Sequence, residues 1–217
     1  MSYKKDINIK ENSKKISEEL IKRVGKLSTS LISDGMKSSR TMKYQVKPIK
    51  GGMKVLGTAI TVKVEPGDNL YLHKAIYKAE KGYILVMDNG ENKDAAVWGE
   101  MMSRSSLAVG LSGVVLEGFV RDLSDIKDLG LPIFAAGALP KGPTVEGPGS
   151  INTNIKCGGV EVKPGDLIFG DDDGVVVVSP EELEEVVKKA EAKLGREGVR
   201  IKELDEGKLV PDWVNEK

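Results

Sequence analysis

Hydrophobic positions along the chain follow two different spacings, which predict a mixed succession of helices and strands. Apolar residues near the N-terminus recur at helical spacing, at Ile16, Leu20, Val24 and Leu27. A second, short helix is expected over residues 28–35, behind an N-cap serine or threonine. Between residues 53 and 137, short runs rich in branched residues alternate with helical patterns. This alternation predicts an α/β domain whose parallel strands are joined by right-handed crossovers.

The stretch from Asp88 to Asp125 is the centre of this pattern. The apolar run at residues 83–90 ends in turn residues, as a buried strand does. Residues 99–109, with Gly110 behind them, are typical of a helix with a glycine C-cap. Residues 113–118 repeat the strand pattern. The sequence therefore predicts a strand, helix, strand unit that places Arg121 and Asp122 just past the second strand.

The composition of the chain changes after residue 137, and three segments of different predicted structure follow. Residues 138–150 are rich in proline and glycine and cannot form a helix. A β-rich segment follows, and Ser179-Pro-Glu-Glu then has the cap, first-turn proline and glutamate of a helix start. We predict a flexible N-terminus at 1–12, an α/β domain at 13–178 with N-terminal helices, and a C-terminal helical extension at 179–217.

The composition argues against two classes of partner. Thirty-three basic residues balance thirty-three acidic ones, so no overall field draws the protein to nucleic acid. No apolar run approaches the roughly 20 residues of a membrane span, and the first 26 residues lack the apolar core of a signal peptide. We therefore expect a cytoplasmic protein that binds neither nucleic acid nor a membrane.

The single histidine and single cysteine narrow the chemistry further. A zinc site of three histidines within one chain is excluded, since His73 is the one histidine of the chain. His73 lies in a mostly apolar helical pattern and is expected to be packed rather than to bind a ligand. Cys157 has no nearby histidine to activate it and is interpreted as a partly buried thiol. Metal chemistry would thus depend on carboxylates, which favours Mg²⁺ or Mn²⁺.

The predicted helix start and the residues after the second strand could form one site. Free amides at a helix N-terminus favour a small anion such as a carboxylate, and Arg121 could bind the same group with two hydrogen bonds. Asp122 could then hold a divalent cation, and Asp125 could orient a metal-bound water if a helix begins at Leu123. The candidate substrate-binding residues at the helix start are Gly99, Glu100, Met101 and Met102.

Each of these features also has a purely structural interpretation. An arginine and aspartate after a strand can be no more than a salt-bridged helix cap. Gly99 can serve close packing alone, and Glu100 can be a solvated helix residue. The Asp171–Asp173 run lacks the spacing of a calcium loop, so a hairpin turn is favoured over a metal site.

Four segments together resemble the RraA-like family. They are Pro66-Gly-Asp-Asn-Leu with His73, Val97-Trp-Gly-Glu-Met-Met102, Gly118-x-x-Arg-Asp-x-x-Asp125 and Gly170-Asp-Asp-Asp-Gly-Val-Val-Val177. The family includes metal-dependent 4-hydroxy-4-methyl-2-oxoglutarate aldolases and the regulator of ribonuclease activity A. The resemblance covers roughly residues 28–178. It implies a swivelling β/β/α fold, assembled as a homotrimer or a dimer of trimers.

The resemblance also implies roles for the candidate residues. Gly99 to Met102 match the family's backbone site for a pyruvate-like carboxylate, Arg121 its substrate arginine and Asp122 its metal-binding aspartate. Asp125 matches an acidic position associated with the aldolase members, and the helix after Ser179 resembles their longer chains. Asp34 matches loosely the acidic residues that reach a neighbouring subunit's site.

The function implied is a class II retro-aldol cleavage of a 4-hydroxy-2-oxo diacid, such as 4-hydroxy-4-methyl-2-oxoglutarate, to pyruvate and a second 2-oxo acid. Decarboxylation of oxaloacetate is expected as a side activity, and Arg121, Asp122 and Asp125 are the expected catalytic residues. A rival is a non-enzymatic regulator that binds a ribonuclease or helicase. An enzyme of the same scaffold acting on another 2-oxo acid is a third possibility, because fold does not fix substrate.

Overall fold

A computed structural model describes residues 9–90, 94–211 and 214. Within these residues the six helices are α1 (Glu18–Val24), α2 (Thr29–Gly35), α3 (Leu70–Lys78), α4 (Glu100–Val109), α5 (Leu123–Ile126) and α6 (Pro180–Asp205). The strands are β1 (Lys47–Pro48), β2 (Val55–Val64), β3 (Tyr83–Asp88), β4 (Ala96–Trp98), β5 (Gly113–Leu116), β6 (Phe119–Val120), β7 (Ile133–Ala135), β8 (Gly137–Ala138), β9 (Gly149–Ile151), β10 (Ile155–Cys157), β11 (Val160–Val162), β12 (Leu167–Asp171) and β13 (Gly174–Val178).

The main sheet has the order β1-β7-β5-β3-β2-β12-β13, and β9 pairs with β2. Strands β2, β3, β5 and β7 run parallel, while β12 and β13 add an antiparallel hairpin. The first and last strands of this order, β1 and β13, lie near each other. The Lys47 ammonium of β1 donates to the carbonyls of Asp172 and Asp173, just before β13, at 3.1 and 2.8 Å. The sheet is therefore nearly closed, like a barrel. The predicted α/β class is confirmed, and so is the hairpin turn at Asp171–Asp173.

A second, three-stranded parallel sheet, β4-β6-β8, lies beside the main one. The predicted single strand, helix, strand unit was wrong in this respect. Residues 96–98 form a strand, and Arg121 follows β6 in the small sheet rather than β5 in the main one. The chain changes sheets at Gly118, where a Cβ would lie 3.0 Å from the Asn89 side chain. The hydrophobic pattern alone does not show that β5 and β6 are separate strands, because only Glu117 and Gly118 lie between them.

Helices cover the main sheet on two sides. The first apolar cluster joins α3 and the start of α4 to the parallel strands, with Leu72, Ile76 and Met102 among its members. Another joins α1, α2 and the first half of α6 to the β12–β13 hairpin. Cys157 is buried in the cluster between them, and this burial raises the pKa of its thiol. The thiol is therefore buried completely rather than partly as predicted, and its raised pKa disfavours the reactive thiolate.

The two chain ends differ in how they meet this core. Residues 1–8 of the predicted flexible segment lie outside the described residues. Ile9 forms a bridge with Ile151, and the Asn152 side chain donates to the carbonyls of Lys10 and Glu11 at 3.2 and 3.0 Å. At the other end, α6 extends the predicted C-terminal helix to Asp205. In its first half one face is buried, at Leu183, Val186, Val187 and Ala190, whereas Leu194, Val199, Ile201 and Leu204 are exposed.

Among the described residues, the longest helices are too polar or too short to cross a lipid bilayer.

Gly57 in β2 provides a test of the packing of this sheet. A Cβ at this position would lie 2.6 Å from the carbonyl oxygen of Gly82 and 3.0 Å from Ile84 Cγ1. We expect Gly57→Ala to lower the free energy of unfolding by roughly 1–3 kcal/mol, because the backbone of the neighbouring strand must move. Urea denaturation measures this change. The control is Gly51→Ala, where a Cβ meets nothing within 4 Å. Equal midpoints for the two variants would contradict the packing described.

Candidate active site

The N-terminus of α4 is held rigidly by its own neighbours. The Trp98 indole donates to Ser103 Oγ, which donates to the Gly99 carbonyl, both at 2.9 Å. The first backbone bond of the helix runs from Ser103 N to the same carbonyl, at 3.1 Å. The amides of the preceding turn, at Met101 and Met102, therefore have no acceptor within the helix. This end of α4 carries a positive partial charge suited to an anion.

Asp122 faces that helix end from the small sheet. Its backbone is left-handed, with φ 57° and ψ 38°, and its side chain makes no hydrogen bond to α5, the helix that it precedes. Instead, Asp122 Oδ2 accepts from the Glu100 amide of α4, at 3.1 Å. The interpretation of this aspartate as a cap of its own helix is therefore not supported. A left-handed non-glycine residue costs free energy and is often found at functional sites.

The Arg121 side chain passes between Gly99 and Gly142 beside the start of α4. A Cβ on Gly99 would lie 3.1 Å from Arg121 Cγ and 2.6 Å from Asp122 Oδ2. A Cβ on Gly142 would lie 2.7 Å from Arg121 Nη1. Arg121 Nε is 3.8 Å from Asp122 Oδ2, so the two charges are close without forming a tight hydrogen bond. Gly99 thus serves close packing, and that packing lets the arginine and aspartate approach the helix.

These groups share one cavity of about 100 Å³. Its lining comprises Asn69, His73, Ala96, Val97, Trp98, Gly99, Glu100, Met101, Met102, Arg121, Asp122 and Pro143. A second cavity of about 340 Å³ adjoins it across Arg121 and Asp122 and is lined also by residues 123 and 138–140. The four predicted helix-start residues and the Arg121–Asp122 pair are therefore brought together.

Three other acidic residues are placed differently. Asp125 lies on α5, as the sequence predicts, but it is exposed and lines neither cavity. Glu100 turns its carboxylate to Arg104, with oxygen to nitrogen distances of 2.7 and 2.8 Å. Asp34 forms an ion pair with Lys193 of α6. The role of Asp125 stays a prediction, and Asp34 is engaged within its own chain.

Two cavity residues, Asn69 immediately before α3 and His73 within it, were not selected as site residues by the sequence. Asn69 is buried, and its amide donates to the Val97 carbonyl at 3.3 Å, while its Oδ1 has no partner among the described residues. His73 lies one helical turn later and lines the same cavity. Burial lowers the pKa of its imidazole below the usual value. The four-residue spacing of Asn69 and His73 was the available signal, because it places both on one helix face.

The donor set suits a weakly held divalent cation. No group of three or more histidine, cysteine or acidic side chains comes together within residues 9–90, 94–211 and 214. Asp122 is a single carboxylate that is 41% exposed at the cavity. Mg²⁺ often keeps several waters and binds through one or two carboxylates plus substrate oxygens. Asp122 fits that mode of binding and would be the protein ligand.

Comparison with known proteins identifies the family. The family model described as RraA-like (Aldolase/RraA) matches residues 29–177. The chain belongs to this family. A relative from Halalkalibacterium halodurans, provisionally named a 4-hydroxy-4-methyl-2-oxoglutarate aldolase, is 35% identical over 178 residues, which cover 82% of this chain and 85% of the relative.

Two solved structures superpose on most of this chain. A protein from Pseudomonas syringae superposes with a TM-score of 0.79 and 26% identity, over 89% of this chain and 92% of its own. Streptomyces coelicolor RraAS2, described as an unusual member of the RNase ES inhibitor RraA family, gives 0.77 and 25%, over 86% and 98%. Since RraAS2 matches so much of this chain, the C-terminal helix does not by itself distinguish aldolases from regulators.

The environment of His73 can be tested by NMR, because the chain has one histidine. We expect its ring proton signals to titrate with a midpoint below about 6.5, since burial disfavours the charged imidazolium. The unfolded chain would bind this proton more tightly. The free energy of unfolding should therefore fall as the pH drops through about 6.5. The same titration in denaturant is the control, and equal midpoints in both states would rule out the buried environment.

Proposed function

We propose that this protein is a divalent-metal-dependent aldolase or lyase that cleaves a 4-hydroxy-2-oxo diacid, such as 4-hydroxy-4-methyl-2-oxoglutarate, to pyruvate and a second 2-oxo acid. The observation that carries this proposal is the convergence of Arg121, Asp122 and the amide end of α4 on one cavity. The relative from Halalkalibacterium halodurans supports it through its name. Oxaloacetate, which shares the pyruvate moiety, is proposed as a substrate for decarboxylation.

The pyruvate end of the substrate would bind at the helix start. The amides of Met101 and Met102 and the guanidinium of Arg121 offer donors to one carboxylate. The guanidinium keeps its charge at every working pH, so the carboxylate is bound as an anion. Asn69 Oδ1, which has no partner among the described residues, could accept a hydrogen bond from a substrate hydroxyl. The cavity thus offers both donors and an acceptor to a hydroxylated oxo acid.

Asp122 would hold the divalent cation, Mg²⁺ or Mn²⁺. A cation bound there would supply Lewis-acid stabilisation of the negative charge that develops on the substrate's keto oxygen. The Asp122 carboxylate lies 3.8 Å from the Arg121 guanidinium, so the proposed metal ligand and the proposed carboxylate-binding arginine are adjacent. His73 adds a group able to accept a proton, because its lowered pKa leaves the imidazole neutral at pH 7.

We propose further that the protein acts in the cytoplasm as a homotrimer or a dimer of trimers. Apolar side chains beside the site support an oligomer, since Met101 and Leu123 are 64% and 39% exposed. A neighbouring copy would then cover the open side of the cavity. It would also supply the contacts to the substrate's distal carboxylate.

A regulator that binds a ribonuclease is the second candidate, and the similarity to RraAS2 favours it. The two functions differ in what they require of Asp122. A regulator needs a surface, whereas an aldolase needs the carboxylate itself.

An assay of pyruvate release tests the enzymatic proposal. The protein with Mg²⁺ or Mn²⁺ should release pyruvate from oxaloacetate and from 4-hydroxy-4-methyl-2-oxoglutarate, and EDTA should abolish the release. Asp122→Asn should lower kcat/KM by a factor of about 100 or more, because the metal loses its charged ligand. The matched control is Asp128→Asn, since Asp128 is an exposed aspartate paired with Lys50.

Three outcomes would contradict the enzymatic proposal. Activity that survives EDTA and is lost on borohydride treatment with substrate would indicate a lysine Schiff base instead. Full activity of Asp122→Asn would remove the metal ligand from the account. Absence of lyase activity across several 2-oxo acids, together with capture of a purified ribonuclease by both wild type and Asp122→Asn, would favour the regulator.

A further inference from the structure

Asp68 is a buried carboxylate outside the candidate active site, and its two oxygens accept hydrogen bonds from backbone amides and from one side-chain hydroxyl. It is 2% exposed. Its Oδ1 accepts from the Leu70 amide at 2.9 Å, and its Oδ2 accepts from the Thr144 hydroxyl at 2.9 Å and the Glu146 amide at 2.6 Å. Burial raises the pKa of this carboxyl, but the hydrogen bonds outweigh burial and the pKa is lowered. The carboxylate is therefore charged at neutral pH.

Two of these bonds come from the proline- and glycine-rich loop at residues 139–148. This loop is here called the arginine loop, because its Gly142 lies against Arg121. Backbone bonds flank the same junction, because Asn69 N donates to the Thr144 carbonyl at 3.0 Å and Thr144 N donates to the Gly67 carbonyl at 2.9 Å. Further along, Ala96 N donates to the Lys141 carbonyl at 2.8 Å. The arginine loop is thus tied to the start of α3 on one side and to β4 on the other.

Gly142 lies between these two attachments and contacts Arg121. A Cβ there would be 2.7 Å from Arg121 Nη1 and 3.7 Å from Cζ. On the opposite side, a Cβ on Gly99 would be 3.4 Å from Arg121 Nε. The guanidinium therefore lies in a slot with a glycine on each wall. The helix α4 fixes one wall, and the arginine loop forms the other.

We propose that Asp68 and Gly142 are positioning residues for Arg121: the carboxylate fixes the arginine loop, and the loop's glycine sets where the guanidinium lies in the cavity. The structural part of this inference needs only the contacts above. Its consequence for catalysis rests on the proposed function, in which Arg121 binds the substrate carboxylate. Misplacement of such a group by about 1 Å can cost a factor of about 100 in rate.

The position of Arg121 can be followed without any assay of activity. The chain has six arginines, so the Nε–Hε correlations of a ¹⁵N-labelled sample can be resolved, and Arg121→Lys identifies the signal. We expect Gly142→Ala to shift that signal and Gly51→Ala to leave it in place, since a Cβ at position 51 meets nothing within 4 Å. An Arg121 signal unchanged in Gly142→Ala would overturn the inference.

The role of Asp68 is tested through its partner as well, because Asp68→Asn could unfold the loop. Thr144→Val removes one donor to the carboxylate, and Thr144→Ser restores it. We expect Thr144→Val and Asp68→Asn to shift the Arg121 signal and Thr144→Ser to resemble wild type. If Thr144→Val and a folded Asp68→Asn both kept the wild-type signal, Asp68 would have no positioning role.

The kinetic measurement separates this inference from the proposed function. For decarboxylation of oxaloacetate with Mg²⁺, Gly142→Ala should raise KM by about tenfold or more, with a smaller change in kcat, because substrate binding is weakened first. A shifted Arg121 signal with unchanged KM and kcat would overturn the catalytic part. A wild-type protein without lyase activity would refute the proposed function while leaving the NMR test of positioning intact.

Discussion

The hydrogen bond from the Glu100 amide to Asp122 Oδ2 joins two parts of the fold through residues that lie 22 positions apart in the chain. One part is α4, which packs on the main sheet, and the other is the small sheet that carries Arg121 and Asp122. The contact needs a left-handed aspartate on one side and a glycine before the helix on the other. Because a Cβ at position 99 would lie 2.6 Å from that carboxylate oxygen, the helix start and the candidate metal ligand can approach this closely only with glycine at position 99.

The same contact limits how α4 can bind an anion. A helix start usually presents several free amides, but one of them already serves Asp122. The remaining amides would bind a substrate carboxylate beside the carboxylate of Asp122, and two adjacent negative charges repel. Arg121 lies 3.8 Å from Asp122 and reduces that repulsion. The proposed divalent cation would reduce it further.

Much of the architecture followed from the sequence, because its signals are local. Parallel strands separated by amphipathic helices, the Gly110 cap and the helix start at Ser179 all depend on neighbouring residues. Of the cavity residues, Gly99 to Met102, Arg121 and Asp122 were predicted from helix-start chemistry and family resemblance. What the sequence did not predict depends on distant contacts. The small sheet pairs residues from three separate segments, and Asn69 and His73 enter the cavity only because α3 packs against α4.

The backbone of Asp122 bears on the choice between enzyme and regulator. Asparagine or glycine would adopt its left-handed conformation at least as easily as aspartate, so the backbone conformation alone does not explain a carboxylate at this position. Aspartate at this position repels an anionic ligand, yet the cavity's other donors, Arg121 and the α4 amides, favour one. Both facts are reconciled when the carboxylate binds a cation that the anionic ligand also binds. The combination of residues therefore supports the proposed metal-assisted reaction on a carboxylate substrate.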